Sequence, residues 1–103
     1  MSGANSCRGE AALMIAGSPR LLRPSFAALV AAEDELGPLF ALVERASAGK
    51  LALAEMAALF WHCLPERDGL TRDDVGTAIA TQGLAASATP LRALLAAILQ
   101  GQT

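Results

Sequence analysis

His62 and Cys63 form the one place in the chain where a base stands next to a nucleophile. Thiol catalysis needs the imidazole within hydrogen-bond reach of the sulfur. Successive helix residues point about 100° apart, so on the helix predicted around them the two side chains diverge. The arrangement expected is Cys63 in the core and His62 at the surface. With a single His in the chain, a zinc site also lacks ligands.

The acidic run Glu33-Asp34-Glu35 has the residue types of a metal or acid/base cluster. Three consecutive helix positions fan around the axis, however, and a solvated helix face is expected. Asp68-Gly69-Leu70-Thr71 looks like the middle of a calcium-binding loop. Aligned on Gly69, the first ligand position falls on Leu64 and the last on Val75, which excludes the site. GxGxxG, GxxxxGK and GxSxG motifs are absent. The sequence points away from an enzyme, and no catalytic, metal or cofactor residue is assigned.

Composition narrows the class further. The chain has 103 residues, 53% hydrophobic and 17% charged, with 23 Ala, three Phe, one Trp and no Tyr. That is too apolar for a disordered chain and suits a compact Ala-rich helical domain. Eight Lys and Arg, scattered singly, stand against ten Asp and Glu, which leaves no footprint for nucleic acid. The longest nearly unbroken apolar stretch, Met56 to Leu64, falls far short of the roughly 20 residues of a membrane span. Neither a secretory signal nor a myristoylation motif is read at the N-terminus. Cys7 and Cys63 fit reduced thiols, and a cytoplasmic location is expected.

The elements that must position these residues follow from punctuation and periodicity. Residues 1–8 are expected to be a disordered lead-in. Glu10 to Ala16 and Arg20 to Arg23 flank Gly17-Ser18-Pro19 and predict a β-hairpin, with Pro19 on an edge. Ser25 predicts an N-cap for a helix closed by Gly37, with Phe26, Leu29, Val30 and Leu36 on one apolar face. A second helix, Leu39 to Ala48, starts after Pro38 and ends at Gly49. A third, about Ala54 to Leu64, places Met56, Leu59, Phe60 and Cys63 at i, i+3, i+4, i+7 and stops at Pro65. Thr71 and Asp74 predict a capping box for a fourth, Arg72 to Gln82, with Val75 and Ile79 inward and Gly76 as a weak point. The last segment carries the stripe Leu84, Leu91, Leu94, Leu95, Ile98 and Leu99, expected to face the core, up to Gly101. Pro90 either opens a helix capped by Thr89 or kinks a longer one beginning near Ala85. The fold class is α+β, mainly α: an N-terminal β-hairpin followed by four to five short helices packed as a small bundle.

Two residues strain this pattern. Glu33 falls within the apolar face of its helix, where an unpaired buried carboxylate is costly. Its stem is expected at the core edge with its head on Arg20, Arg23 or water, against the alternative of a buried polar anchor. Trp61, beside Ala57 and Leu64, widens the apolar surface of the third helix. Either that helix is buried on two sides, or Trp61 belongs to a partner-binding patch. The candidate contacts are Trp61, Ala57, Leu64, Leu91, Leu95 and Leu99.

The run Arg8-Gly9-Glu10, a hairpin of the form x-Leu-x-Ile-x-Gly-x-Pro, then Leu22-Arg23-Pro24-Ser25-Phe26-Ala27-Ala28-Leu29 and Glu33 to Gly37, resembles one family. It is similar to the small gene transfer agent proteins grouped with phage tail assembly chaperones and also labelled tail tube proteins. The order of elements matches from about Arg8 to Gly101, and residues 9–101 are expected to form a single tail-assembly-chaperone-like domain. The resemblance implies a non-enzymatic role in building a phage-type tail, with the tape measure or tail tube protein as partner. A tube subunit stays in the particle, whereas a chaperone leaves it. Tube subunits form rings through extended β-sheets, and one hairpin among helices favours the chaperone. The alternatives are a structural component retained in the particle and an unrelated helical interaction adaptor. The Leu and Ala content also permits self-association, while no nucleic acid or membrane partner is expected.

Overall fold

Alternation is clean in the first element of the computed structural model, which describes residues 11–100. The lead-in expected at 1–8, Glu10 and the stop at Gly101 lie outside the described residues. In β1 (Ala11–Ile15), Ala11, Leu13 and Ile15 are buried while Ala12 and Met14 face out, the period-two pattern of a half-buried strand. It pairs antiparallel with β2 (Ser18–Leu22), Ile15 opposite Ser18 and Ala11 opposite Leu22. The turn is therefore Ala16-Gly17 rather than Gly17-Ser18-Pro19. Both residues have positive φ, 54° and 83°, the backbone of the two-residue hairpin turn that matches strand twist. Gly17 takes this without strain. Pro19 lies inside β2 opposite Met14, tolerated because each strand of a two-stranded sheet is an edge.

Five helices follow: α1 (Phe26–Leu36), α2 (Leu39–Ser47), α3 (Leu53–His62), α4 (Arg72–Gln82) and α5 (Leu84–Gln100). The protein is mainly α and compact, with a radius of gyration of 12.4 Å. At the centre lies α3, whose Met56, Ala57, Ala58, Leu59 and Phe60 are all buried, with Cys63 and Leu64 just beyond its end. Five consecutive buried residues turn through more than one face, so the helix must be covered on more than one side. It packs against α1 and α4, α4 packs on α5, and β1 rests on α4 and α5. The Arg23 N–H donates to the Cys63 carbonyl at 2.7 Å, tying the end of β2 to the end of α3.

Caps appear where the residue types call for them. Ser25 Oγ accepts from the Ala28 N–H at 3.2 Å and starts α1. Thr71 and Asp74 bond reciprocally, the Asp74 N–H to Thr71 Oγ1 at 3.2 Å and the Thr71 N–H to Asp74 Oδ2 at 2.9 Å. Val75 and Ile79 are fully buried, as their spacing predicts.

Two helices depart from expectation. The buried residues of α1 are Ala28 and Ala32, while Phe26 and Val30, expected on the core face, are exposed. Small side chains let α1 sit close against α3, and the larger ones are left outside. In α5 the chain stays helical through Pro90, so the shorter helix capped by Thr89 does not form. Pro90 has no N–H to give the Ala86 carbonyl. The α5 core face is Ser87, Pro90, Leu91, Leu94 and Ala97, and the ends of the expected stripe, Leu84 and Leu99, are exposed. No single described helix is long and apolar enough to cross a membrane; α4 and α5 together reach that length only across a bend of 119°.

Helix α4 offers two substitutions of opposite sign. Thr71→Ala removes the cap and should lower stability by about 1 kcal/mol. Gly76→Ala should raise it by up to about 1 kcal/mol, because a Cβ there meets no atom within 4 Å. Urea unfolding of the two variants reads both; loss of stability in Gly76→Ala would show that the α4 surface is occupied.

Candidate functional site

The residues with chemistry in them are spent on architecture. Cys63 is buried, and desolvation pushes its thiol up to about 12 despite the nearby Arg67 charge. A thiol held that far above neutrality is a poor nucleophile. His62 is mostly covered rather than at the open surface, and its Nε2 lies 2.8 Å from Glu35 Oε1. Glu35 Oε2 accepts from Arg72 Nη1 at 2.6 Å. One carboxylate at the end of α1 thus gathers the end of α3 and the start of α4. The Arg72 bond, then the His62 bond, holds the Glu35 carboxyl below its ordinary value of 4.5.

Glu33 also has a partner, though not one of those expected. Its side chain is exposed and Oε2 accepts from the Leu39 N–H at 3.0 Å, capping α2 across the α1–α2 corner. So two members of the 33–35 run are structural rather than merely solvated. Likewise Glu55 Oε1 accepts from the Ala52 N–H at 3.0 Å while Oε2 pairs with Arg45 of α2. The Ala52 bond, with help from Arg45, lowers the Glu55 carboxyl. Among the described residues, no three His, Cys, Asp or Glu side chains are grouped to hold a metal ion.

The six residues expected to contact a partner are distributed unevenly. Ala57, Leu64 and Leu91 are buried in the core. Trp61 and Leu95 are partly buried against it. Leu99 is 53% exposed. The Trp61 ring lies under the Arg67 guanidinium, 4.6 Å from the ring centroid, a cation–π stack.

A different set of residues presents open apolar surface. Phe26 is 85% exposed, Phe40 78% and Val30 40%. Phe40, Leu39 and Val43 of α2 face Ile98 and Leu99 of α5 across a groove of about 260 Å³, with Glu33 at its border. Phe26, Val30 and Glu33 are spaced i, i+4, i+7 and share one side of α1, so the apolar strip continues along α1 from the groove. Sequence reasoning placed Phe26 and Val30 inward because it weighed size over fit. The overlooked signal was the Ala pair at 28 and 32, which offers α1 a second, closer-packing face.

Contact surface, rather than converging reactive groups, is what this arrangement provides among the described residues. The chain belongs to the family described as phage tail tube protein, GTA-gp10, whose family model matches residues 8–101. That places it among phage and gene transfer agent tail proteins, a generally non-enzymatic class. No curated protein and no solved structure matches the chain.

Two measurements test this electrostatic and burial picture. A carboxyl lowered by folding stabilises the fold above its unfolded pKa, and that contribution is lost as pH falls through the lowered value. Glu35→Gln should therefore cost less than about 1 kcal/mol at neutral pH, the pair being partly exposed, and should flatten the loss of stability below about pH 4.5. An unchanged acid limb would contradict the assignment. In a Cys7→Ser background, Cys63 should stay unreactive to a thiol reagent in the native state and react fully in guanidinium; fast native labelling would contradict its burial.

Proposed function

We propose that this protein is a tail assembly chaperone, which covers an apolar segment of the tape measure or tail tube protein before the tail polymerises. The observation that carries the reading is the apolar strip of Phe26, Val30, Phe40 and Leu99. Two Phe rings in nearly full contact with water are unfavourable for a lone chain and suit a surface that is covered at work. The α2–α5 groove has the form that receives one face of an amphipathic helix. Leu99 is the one member of the strip that the sequence pattern also nominated.

Fold argues for the chaperone over the tube subunit. A tube ring needs sheet that continues from subunit to subunit. The described chain has one sheet, of two five-residue strands, and it is packed against α4 and α5. On this reading the protein works where tail subunits are made, in the cytoplasm of the producing cell.

Co-expression with the tail tube and tape measure proteins of the same gene cluster, followed by pull-down and light scattering, tests the proposal. One of them should form a soluble complex that Phe40→Ser abolishes and Trp61→Ala leaves weakened at most, with circular dichroism unchanged in both variants. If neither binds and the protein forms rings or tubes alone, or is found at stoichiometric copy number in finished particles, the chaperone reading is wrong.

A further inference from the structure

Phe26 stands apart from the groove whose face it shares. Its ring is 85% exposed, and Glu33 at the border of the groove lies seven residues further on, about 10 Å along α1. The groove, about 260 Å³ between Leu39, Phe40, Val43, Ile98 and Leu99, exceeds the roughly 150 Å³ in which an apolar cavity takes up a benzene ring. One face thus carries a phenyl ring that the described residues leave largely uncovered and, two helical turns away, an apolar hollow wide enough for such a ring.

A single chain cannot bring the two together, because α1 runs unbroken between them. A second copy can. A two-fold axis through Val30, midway between Phe26 and Glu33 on the same side of α1, sets each Phe26 over the groove of the other copy. Charge favours this orientation as well. The first turn of α1 holds no acidic residue, while Glu33 and Asp34 stand near its C-terminal end, against the negative end of the helix dipole. An antiparallel copy brings those carboxylates beside the first turn of its own α1, the positive end. A parallel copy would set Glu33 against Glu33.

We infer that a second copy of the chain closes the apolar strip through an antiparallel α1–α1 contact, with Phe26 of each copy seated in the α2–α5 groove of the other. The contact is isologous, so it ends at two copies and builds no ring or tube. Two Phe rings with Val30 and Leu99 offer roughly 300–500 Å² per copy, short of the about 800 Å² per partner of a standard interface. The dimer is accordingly weak, with a dissociation constant on the order of 100 μM, and open in dilute solution. Client and second copy exclude each other; the inference rests on the chaperone reading only in naming the client as what displaces the second copy.

Sedimentation equilibrium of the protein alone, from about 5 μM to about 1 mM, should show the mass rising from one chain towards two and no further. Phe26→Ser should weaken the dimer about tenfold or more, with circular dichroism unchanged. Leu84→Ser, which removes an exposed leucine outside the strip, should leave it as it is. In a Cys7→Ser background, Val30→Cys should oxidise readily to a linked dimer, because the axis brings position 30 of the two copies together. Thr81→Cys, exposed on α4, should not. The oxidised Val30→Cys dimer should fail to bind the co-expressed tail partner and bind it once reduced. A monomer throughout the range, whether the strip is bare or covered by residues 1–10 of its own chain, would overturn the inference. So would a Phe26→Ser variant that associates like the parent, equal cross-linking at 30 and 81, or an oxidised dimer that still binds the partner. Partner binding by a protein that never dimerises sinks this inference and leaves the chaperone reading standing; a dimer weakened by Phe26→Ser, with no tail partner bound, does the reverse.

Discussion

The structure depends on the burial of α3. Five consecutive residues, Met56 through Phe60, are buried, and water can be excluded from them only by packing the helix on more than one face. The Ala28/Ala32 face of α1 covers one side and the Val75/Ile79 face of α4 another. Once those faces are used inward, the bulkier residues of α1 must point outward. The exposed Phe26 and Val30 are thus a consequence of how α3 is covered, and the strip they form is fixed relative to the core.

Ion pairs and caps then hold the corners rather than supply most of the stability. Glu35 joins three helices and Glu33 caps α2, but both carboxylates are open to solvent, where such contacts contribute little individually. Their effect is geometric. Glu33 sets the direction in which α2 leaves α1, and so sets where Phe40 stands relative to Leu99. The same economy explains His62 and Cys63, one occupied in pairing and the other sealed by desolvation.

Punctuation was the most legible part of the sequence. Ser25, Thr71 with Asp74, and Gly37 marked helix ends because each supplies a bond or a backbone angle that few residues can. The 3.6-residue spacing of Met56, Leu59, Phe60 and Cys63 marked the inner face of α3, since every neighbour there is apolar as well. Periodicity failed in α1, where an Ala face and a Phe/Val face compete and only the shape of the partner helix decides. It also failed for Glu33, whose acceptor role depends on a backbone N–H six residues on. Ala57, Leu64 and Leu91 were read as contact candidates from their helix faces, and three-dimensional packing buries all three. Pro90 could not be settled by sequence, because what supports the helix around it is tertiary burial of Ser87, Leu91 and Leu94.

The central claim is that a tail protein covers the α1–α2–α5 strip. Hydrogen–deuterium exchange of the protein alone and in complex with its co-expressed tail partner tests it most directly. Protection should rise in the first turns of α1 and α2, around 26–30 and 39–43, and at the end of α5, around 95–100, with the centre of α3 unchanged. A stable complex that leaves those three segments exchanging as in the free protein would contradict the account.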